Sequence, residues 1–316
     1  MNLQARSAAA AAGPLRTLLI LAALLVGFLL LPLAVYPVFL MKAMCFALFA
    51  CAFNLLLGFA GLLSFGHAAF FGAASYVAAH ALKVWGFPAE LAILSAAAVS
   101  CLLGLVFGAI AIRRQGIYFA MITLALSQMV FFIAVQAPFT GGEDGIQGVP
   151  RNPLFGFIDV SDNESLYYLV LAIFAGGLFA VWRTVHSPFG QILRAIRESE
   201  PRAKSLGFET DRYKLAAFVI SATLSGLAGG TKALVVQVAS LTDVTWQMSG
   251  EVVLMTLLGG MGTVFGPSVG AVVIVTLQNY LSAFGSLVTI IIGAIFVVCV
   301  LLFRRGIVGE LLARLR

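Results

Sequence analysis

Charge is what this chain has least of. Of its 316 residues only 10% are Asp, Glu, Lys or Arg, while 61% are hydrophobic. A soluble domain carries about 25% charged and roughly 45–50% apolar residues. The deficit excludes a water-soluble body of this size, because the outside of the molecule as well as its core has to be apolar. Histidine is scarce, with three residues. No His, Asp or Glu cluster has metal-ligand spacing, and no serine nucleophile stands with a base, so neither a metal nor a cofactor is expected and an enzyme is disfavoured. Cys45, Cys51, Cys101 and Cys299 lie in apolar runs without C-x-x-C spacing, which points to inert buried thiols rather than a zinc site or a disulfide framework. The G-x-x-x-x-G-K-[ST] phosphate cradle is missing. Gly229-Gly230-Thr231-Lys232 lacks that spacing and sits inside an apolar stretch. Any work driven by ATP therefore needs another chain.

What the chain does have is long apolar runs. A spanning helix needs about 20 apolar residues, and candidate spans fall at 15–35, 38–57, 64–82, 90–112, 116–136, 166–185, 214–238, 250–262, 266–283 and 286–303. The expected fold is all-α: a polytopic transmembrane helical bundle of about ten crossings, some short or broken. The first run is too long for the core of a signal peptide and is read as a retained span. Residues 1–14 and 306–316 are expected to be cytoplasmic tails around one transmembrane domain, 15–305.

The net charge of +6 does not call for nucleic acid, because the basic residues sit in short connections near span ends, as the positive-inside bias predicts. Arg113-Arg114, Arg304-Arg305 and the stretch from Arg183 to Lys214, with seven Lys and Arg, are therefore placed in the cytoplasm. Loop 137–165 holds only Arg151 and falls on the opposite side. These placements agree when the crossings are even in number and both termini are cytoplasmic.

Two glycine-rich breaks share a pattern. Leu57-Gly58-Phe59-Ala60-Gly61 runs into Ser64-Phe65-Gly66, and Leu258-Gly259-Gly260-Met261-Gly262 runs into Val264-Phe265-Gly266-Pro267. Glycine weakens a helix and Pro267 removes a donor. Irregular backbone at membrane depth is tolerated only inside protein or beside a wet cavity. Interrupted helices in corresponding places point to an internal repeat and a transport path, with chance similarity between Gly-, Leu- and Phe-rich segments as the competing explanation. Pathway candidates gather at or near these breaks: Asn54, Gly61, Ser64, Gly66, His67, Thr256, Gly259, Gly260, Gly262 and Gln278. The competing role for the polar ones is helix glue, and for His67 a bond to backbone freed by the glycines. Lys42 and Lys232 are read as snorkelling cations.

The hydrophilic exception is loop 186–213. Phe189, Ile192, Leu193 and Ile196 recur at helical spacing. Ser187-Pro188 supplies a cap and a first-turn proline, Pro201 forces a bend, and Gly207 is a natural left-handed stop. About three turns, a bend near Ser199–Pro201 and a short second helix are expected. Such a helix either lies at the lipid interface or seats on a cytoplasmic partner.

Its text, SPFGQILRAIRESEPRAKSLG, resembles the cytoplasmic loop of branched-chain amino acid ABC transporter permeases of the LivM type, SPFG-x-x-L-R-A-I-R-E-x-E-x-x-A-x-x-x-G. Leu63–Gly72, Thr140–Pro150 and Leu257–Pro267 are similar to the same family, in the same order. The resemblance implies an importer subunit of a bacterial inner membrane, working by alternating access. It implies a LivH-like second permease, two cytoplasmic ABC ATPases and a periplasmic binding protein that delivers the amino acid. It assigns ATPase coupling to Phe189, Gly190, Leu193, Arg194, Ile196, Arg197, Glu198, Glu200, Ala203 and Gly207. It lends Gly142, Glu143, Asp144 and Gly145 a role in docking the binding protein. Pro201 departs from the related importer loop pattern and puts the regularity of the second half in doubt. The alternative function is an ion-coupled carrier, for which Glu251 is the nearest candidate residue.

Overall fold

A computed structural model describes residues 36–154, 156, 159–281, 285, 287–302 and 306–314. The expected span 15–35, the tail 1–14 and Arg304-Arg305 lie outside the described residues. Helix α1, Pro37–Asn54, opens on a proline, whose fixed φ suits the first turn. It continues as a π-turn, Leu55–Ala60, which Gly61 ends at φ 74°. This element is apolar all round and buried from Ala43 to Asn54, as a helix enclosed by others must be.

Around it stand α2 (His67–Lys83), α3 (Ala89–Ala111), α4 (Ile117–Gln136) and α5 (Asn163–Val185). The hydrophilic segment forms α6 (Pro188–Glu198) and α7 (Glu200–Ser205). Then follow α8 (Thr210–Val236), α9 (Trp246–Gly259), α10 (Gly266–Leu281), α11 (Leu287–Leu302) and α12 (Gly306–Arg314). Five elements are long and apolar enough to cross a bilayer: 37–60, 89–111, 117–136, 163–185 and 210–236. The remaining described helices are shorter. In place of the expected 64–82, α2 starts at His67, because Gly61–Gly66 is given over to non-helical backbone. Leu102 and Val106 on α3, Met121 and Phe132 on α4 and Phe179 on α5 are exposed, the apolar outer surface that lipid requires.

The longest helix, α8, runs through the middle against α1, α2 and α3. Small residues make this possible. A Cβ on Gly229 would strike the Phe71 carbonyl of α2, one on Gly226 would strike Ser100 of α3, and one on Gly230 would come 2.8 Å from Ala96. Backbones that close gain the van der Waals contact that holds helices together where lipid offers no hydrophobic driving force. Gly229-Gly230 is thus a packing seam and no phosphate loop.

At the end of α8 away from α6, the chain is tied down by polar contacts. Strands β1 (Ile146–Gln147) and β2 (Val238–Ala239) pair antiparallel. Gln237, the described non-glycine residue with positive φ (58°), exchanges bonds with Val149: its carbonyl accepts from Val149 N–H at 3.0 Å, and its side chain donates back at 3.2 Å. Lys232 does not snorkel as expected. Its ammonium donates to Asp243 Oδ2 at 2.6 Å, and the two side chains are 8% and 3% exposed. Asp243 also accepts the Ser240 N–H at 3.3 Å within a capping box. Removing one partner strands a buried charge, so Lys232→Met is expected to destabilise the protein by about 3–5 kcal/mol, with much of the loss recovered when Asp243→Asn is added. Thermal unfolding in detergent reads both; equal losses for the single and double variants would show that the pair is not the lock.

Candidate functional site

The segment expected to be a bent helix pair is one. Ser187 Oγ accepts the Gly190 N–H at 3.4 Å, and Pro188 takes the first helical turn of α6. Ser199 is extended (φ −159°), Pro201 lies in the first turn of α7, and Gly207 stops the segment at φ 89°. The apolar stripe turns into the protein rather than outward. Leu193, Ile196 and Ala203 are buried, Phe189 stacks on Tyr213 with centroids 5.7 Å apart, and a Cβ on Gly190 would strike the Val185 carbonyl. Gln191, Arg194, Ala195, Arg197, Glu198 and Arg202 are exposed, and the tip of Arg197 also reaches back to the Gly58 carbonyl.

Glu200 also points inward. Its carboxylate accepts from Lys214, near the start of α8, and pairs with Lys204 at 3.1 Å. Gln115 Nε2 donates to it at 2.7 Å and the Thr210 hydroxyl at 3.1 Å. These bonds staple α7 to the foot of α8 and to the connection before α4. Lys214 was expected in the loop; it stands inside α8, with its side chain 3% exposed.

The two breaks meet. Asn54 Nδ2 donates to the Thr263 carbonyl at 2.8 Å, and Asn54 Oδ1 accepts the Gly262 N–H at 3.0 Å. One side chain of α1 therefore serves an N–H and a carbonyl of the second break. Gly58 leaves room for this, since a Cβ there would collide with Asn54 and Gly262. A Cβ on Gly259 would strike the Gly266 carbonyl, and Gly260 and Gly262 adopt φ 121° and 77°. Cys51 Sγ lies 3.1 Å from Ser268 Oγ, which joins α1 to α10 just above the break. The other two cysteines expected to be buried, Cys101 and Cys299, are only partly covered.

The polar pathway candidates are mostly engaged. Ser64 Oγ accepts the Gly66 N–H at 3.2 Å, and Thr256 donates to the Val252 carbonyl of its own helix at 2.8 Å. Gly66 packs so closely on Thr123 that a side chain would not fit. His67 is buried edge-on against Phe53, Phe70 and Phe218. Its Nε2 is 2.8 Å from Ser221 Oγ, which donates to the Ala52 carbonyl at 2.5 Å. Its partner is thus a hydroxyl of α8 and not the backbone freed by the glycines. Gln278 differs: it is partly exposed and donates to Glu251 Oε2 at 3.0 Å.

An open pocket of about 660 Å³ lies where α6, α7 and the first break converge, lined by Gly61, Gln115, Arg197, Glu200, Lys214 and Met261 among others. On the opposite face Gly142–Asp144 forms a 3-10 turn between Gly141 (φ 78°) and Gly145 (φ 68°), with Glu143 and Asp144 exposed. Sequence reasoning missed Asp243 and the inward role of Glu200. The first was legible as Ser240-x-x-Asp243, a capping-box spacing; nothing local signalled the second.

A family model described as a branched-chain amino acid transport system permease component matches residues 35–300. The chain belongs to that family and is a multi-pass membrane protein. It is 28% identical over 277 residues to the high-affinity branched-chain amino acid transport system permease protein LivM of Salmonella typhimurium, and 27% identical to that of Escherichia coli. Each match covers 80% of this chain and 65% of the relative, so the chain spans about two thirds of their length. A probable LivM of Methanocaldococcus jannaschii is 25% identical over 194 residues, 59% of this chain and 55% of the relative. No solved structure matches.

Burial pushes the Glu200 pKa up, but hydrogen bonds from Lys214 and Lys204, the Lys214 charge and the Thr210 hydroxyl outweigh it and hold the carboxyl below its ordinary value. Its contribution is complete above the ordinary carboxylate range and is lost as pH falls through the lowered value. Proteolytic cleavage between α6 and α8 in the detergent-solubilised protein is expected to stay slow at neutral pH and to rise only below that range. Glu200→Gln is expected to be cut readily at neutral pH; protection equal to wild type would remove this role.

Proposed function

We propose that this chain is the membrane-spanning subunit of an ABC importer of the inner membrane, moving branched-chain or chemically close amino acids by alternating access. A second, LivH-like permease, two cytoplasmic ATPases and a periplasmic binding protein complete it. The observation that carries the reading is the hydrophilic helix pair α6–α7, fastened beneath a bundle that lacks any phosphate-binding loop of its own. Because the apolar stripe faces inward, the ATPase meets the exposed side: Gln191, Arg194, Ala195, Glu198 and Arg202. Phe189, Gly190, Leu193, Ile196, Glu200, Ala203 and Gly207 hold that side in shape. Movement of α6 against the bundle then opens one side of the passage as the other closes.

The passage runs beside the paired breaks. Most polar candidates there already hold backbone, so the groups left for a zwitterion sit at the outer ends of the same helices. These are Glu251 with Gln278, which donates to it at 3.0 Å, and Lys42. Substrate contact is therefore weak and transient, and the binding protein sets specificity. Glu143 and Asp144 offer that protein an exposed acidic tip.

The ion-coupled carrier is the second reading, and Glu251, a carboxylate in an apolar helix paired with Gln278, is what favours it. Reconstitution in liposomes with candidate ATPase and permease partners separates the two: uptake is expected to require ATP, and uptake by this chain alone on an ion gradient would remove the ABC reading. In the assembled importer, Glu143→Lys with Asp144→Lys is expected to raise the concentration of loaded binding protein needed for half-maximal uptake by about tenfold, the scale of one lost charge contact. An unchanged requirement would clear the tip of this role.

A further inference from the structure

The Arg197 side chain runs back from the exposed helix α6 to the underside of the bundle. Its Nη1 donates to the Gly58 carbonyl, in the π-turn that ends α1. Carbonyls in the last turn of a helix lack partners within it, and π-turns inside helices recur at functional sites. Gly61, left-handed and without a side chain, makes room for the stem: a Cβ there would lie 2.9 Å from Arg197 Cγ. A Cβ on Gly262 would lie 3.6 Å from the same Arg197 Nη1. One turn back along α6, the Arg194 guanidinium sits 5.3 Å from the centre of the Phe59 ring, next to Gly58. A pocket of about 510 Å³ opens among Gly58, Phe59, Arg194, Arg197, Glu198 and Gly262.

These contacts form one chain. Arg197 grips the first break at Gly58. Four residues earlier, Asn54 grips the second break at Gly262 and Thr263. A rigid shift of α6 therefore cannot leave either break behind while these bonds last. We infer that Arg197, although exposed on α6, is a positioning residue for transport: its bond to the Gly58 carbonyl carries displacement of α6 to the two interrupted helices together, a role distinct from contact with the ATPase. The inference rests on the reading of α6–α7 as the surface the ATPase engages.

The test uses the importer assembled in liposomes with its ATPases and second permease. ATPase co-purification, ATP hydrolysis and uptake are measured on the same preparations. Arg197→Met keeps the stem and removes the donor. It is expected to retain the ATPase and hydrolysis while uptake per ATP falls about tenfold, the scale of one charge-assisted hydrogen bond. Arg197→Lys restores a donor and recovers part of the loss. Asn54→Ala is expected to uncouple by itself and to add nothing in the Arg197→Met background, because both act through one linkage.

Unchanged uptake per ATP in Arg197→Met overturns the inference. So does loss of ATPase binding in that variant, which would make Arg197 a docking contact. If Arg197→Met fails to reach the membrane, Arg197→Lys decides: it assembles, hydrolyses ATP and transports more slowly per ATP, and wild-type coupling in it overturns the inference. If the unmutated importer neither retains an ATPase nor needs ATP, the coupling-surface reading itself has failed, an outcome distinct from failure of Arg197 alone.

Discussion

A backbone N–H or C=O taken out of water needs a partner, and the structure turns on how this chain meets that demand where its helices break at the underside of the bundle. Each interrupted segment frees backbone groups that cost several kcal/mol when left bare in hydrocarbon. The answer is mutual. Asn54 serves the N–H of Gly262 and the carbonyl of Thr263, and Arg197 serves the carbonyl of Gly58. The glycines are what let these groups meet, because a Cβ at Gly58, Gly61 or Gly259 would strike its neighbour. Two breaks far apart in sequence are therefore one object in space.

That object is held between a tight seam and two polar fasteners. Helix α8 packs on α2 and α3 through Gly226, Gly229 and Gly230 with little freedom to slide. At one end the Lys232–Asp243 pair fixes the segment after it, and at the other Glu200 ties α7 to Lys214. Rigid ends around a glycine-rich middle concentrate bending at the breaks. On the proposed function, a push at α6 would become a change at the breaks rather than a general deformation, since packed interiors transmit strain.

Much of this was legible in the chain. The bend at Ser199–Pro201, the stop at Gly207, the short helix before Gly259 and the break after Leu57 follow from proline, glycine and capping chemistry, which act within a few residues. What was not legible depends on partners far away in sequence. The stripe Phe189, Ile192, Leu193 and Ile196 has a period that marks a buried face, but the period does not say whether the cover is another protein or the rest of this one. Lys232 in an apolar run reads as a snorkelling cation until Asp243 is seen folded onto it. Hydropathy also misplaces where an element starts, because an apolar run such as 64–82 does not reveal that its first residues lie outside the helix.

The state of the hydrogen bonds limits what each polar residue can do for a passing solute. Asn54, Ser64 and Thr256 hold backbone groups, and His67 holds Ser221. To bind a substrate they would have to release those partners, at about 1–3 kcal/mol for each buried group left unpaired. A conformational change that itself opens the breaks removes this cost, because the partners then separate in any case. Polar contact with the solute and movement of the breaks are thus coupled by the same bonds: the resting structure presents few free groups at its centre, and the groups appear when the helices part. On the proposed importer function, a passage built this way would discriminate poorly by affinity, and selectivity would fall to the protein that delivers the solute.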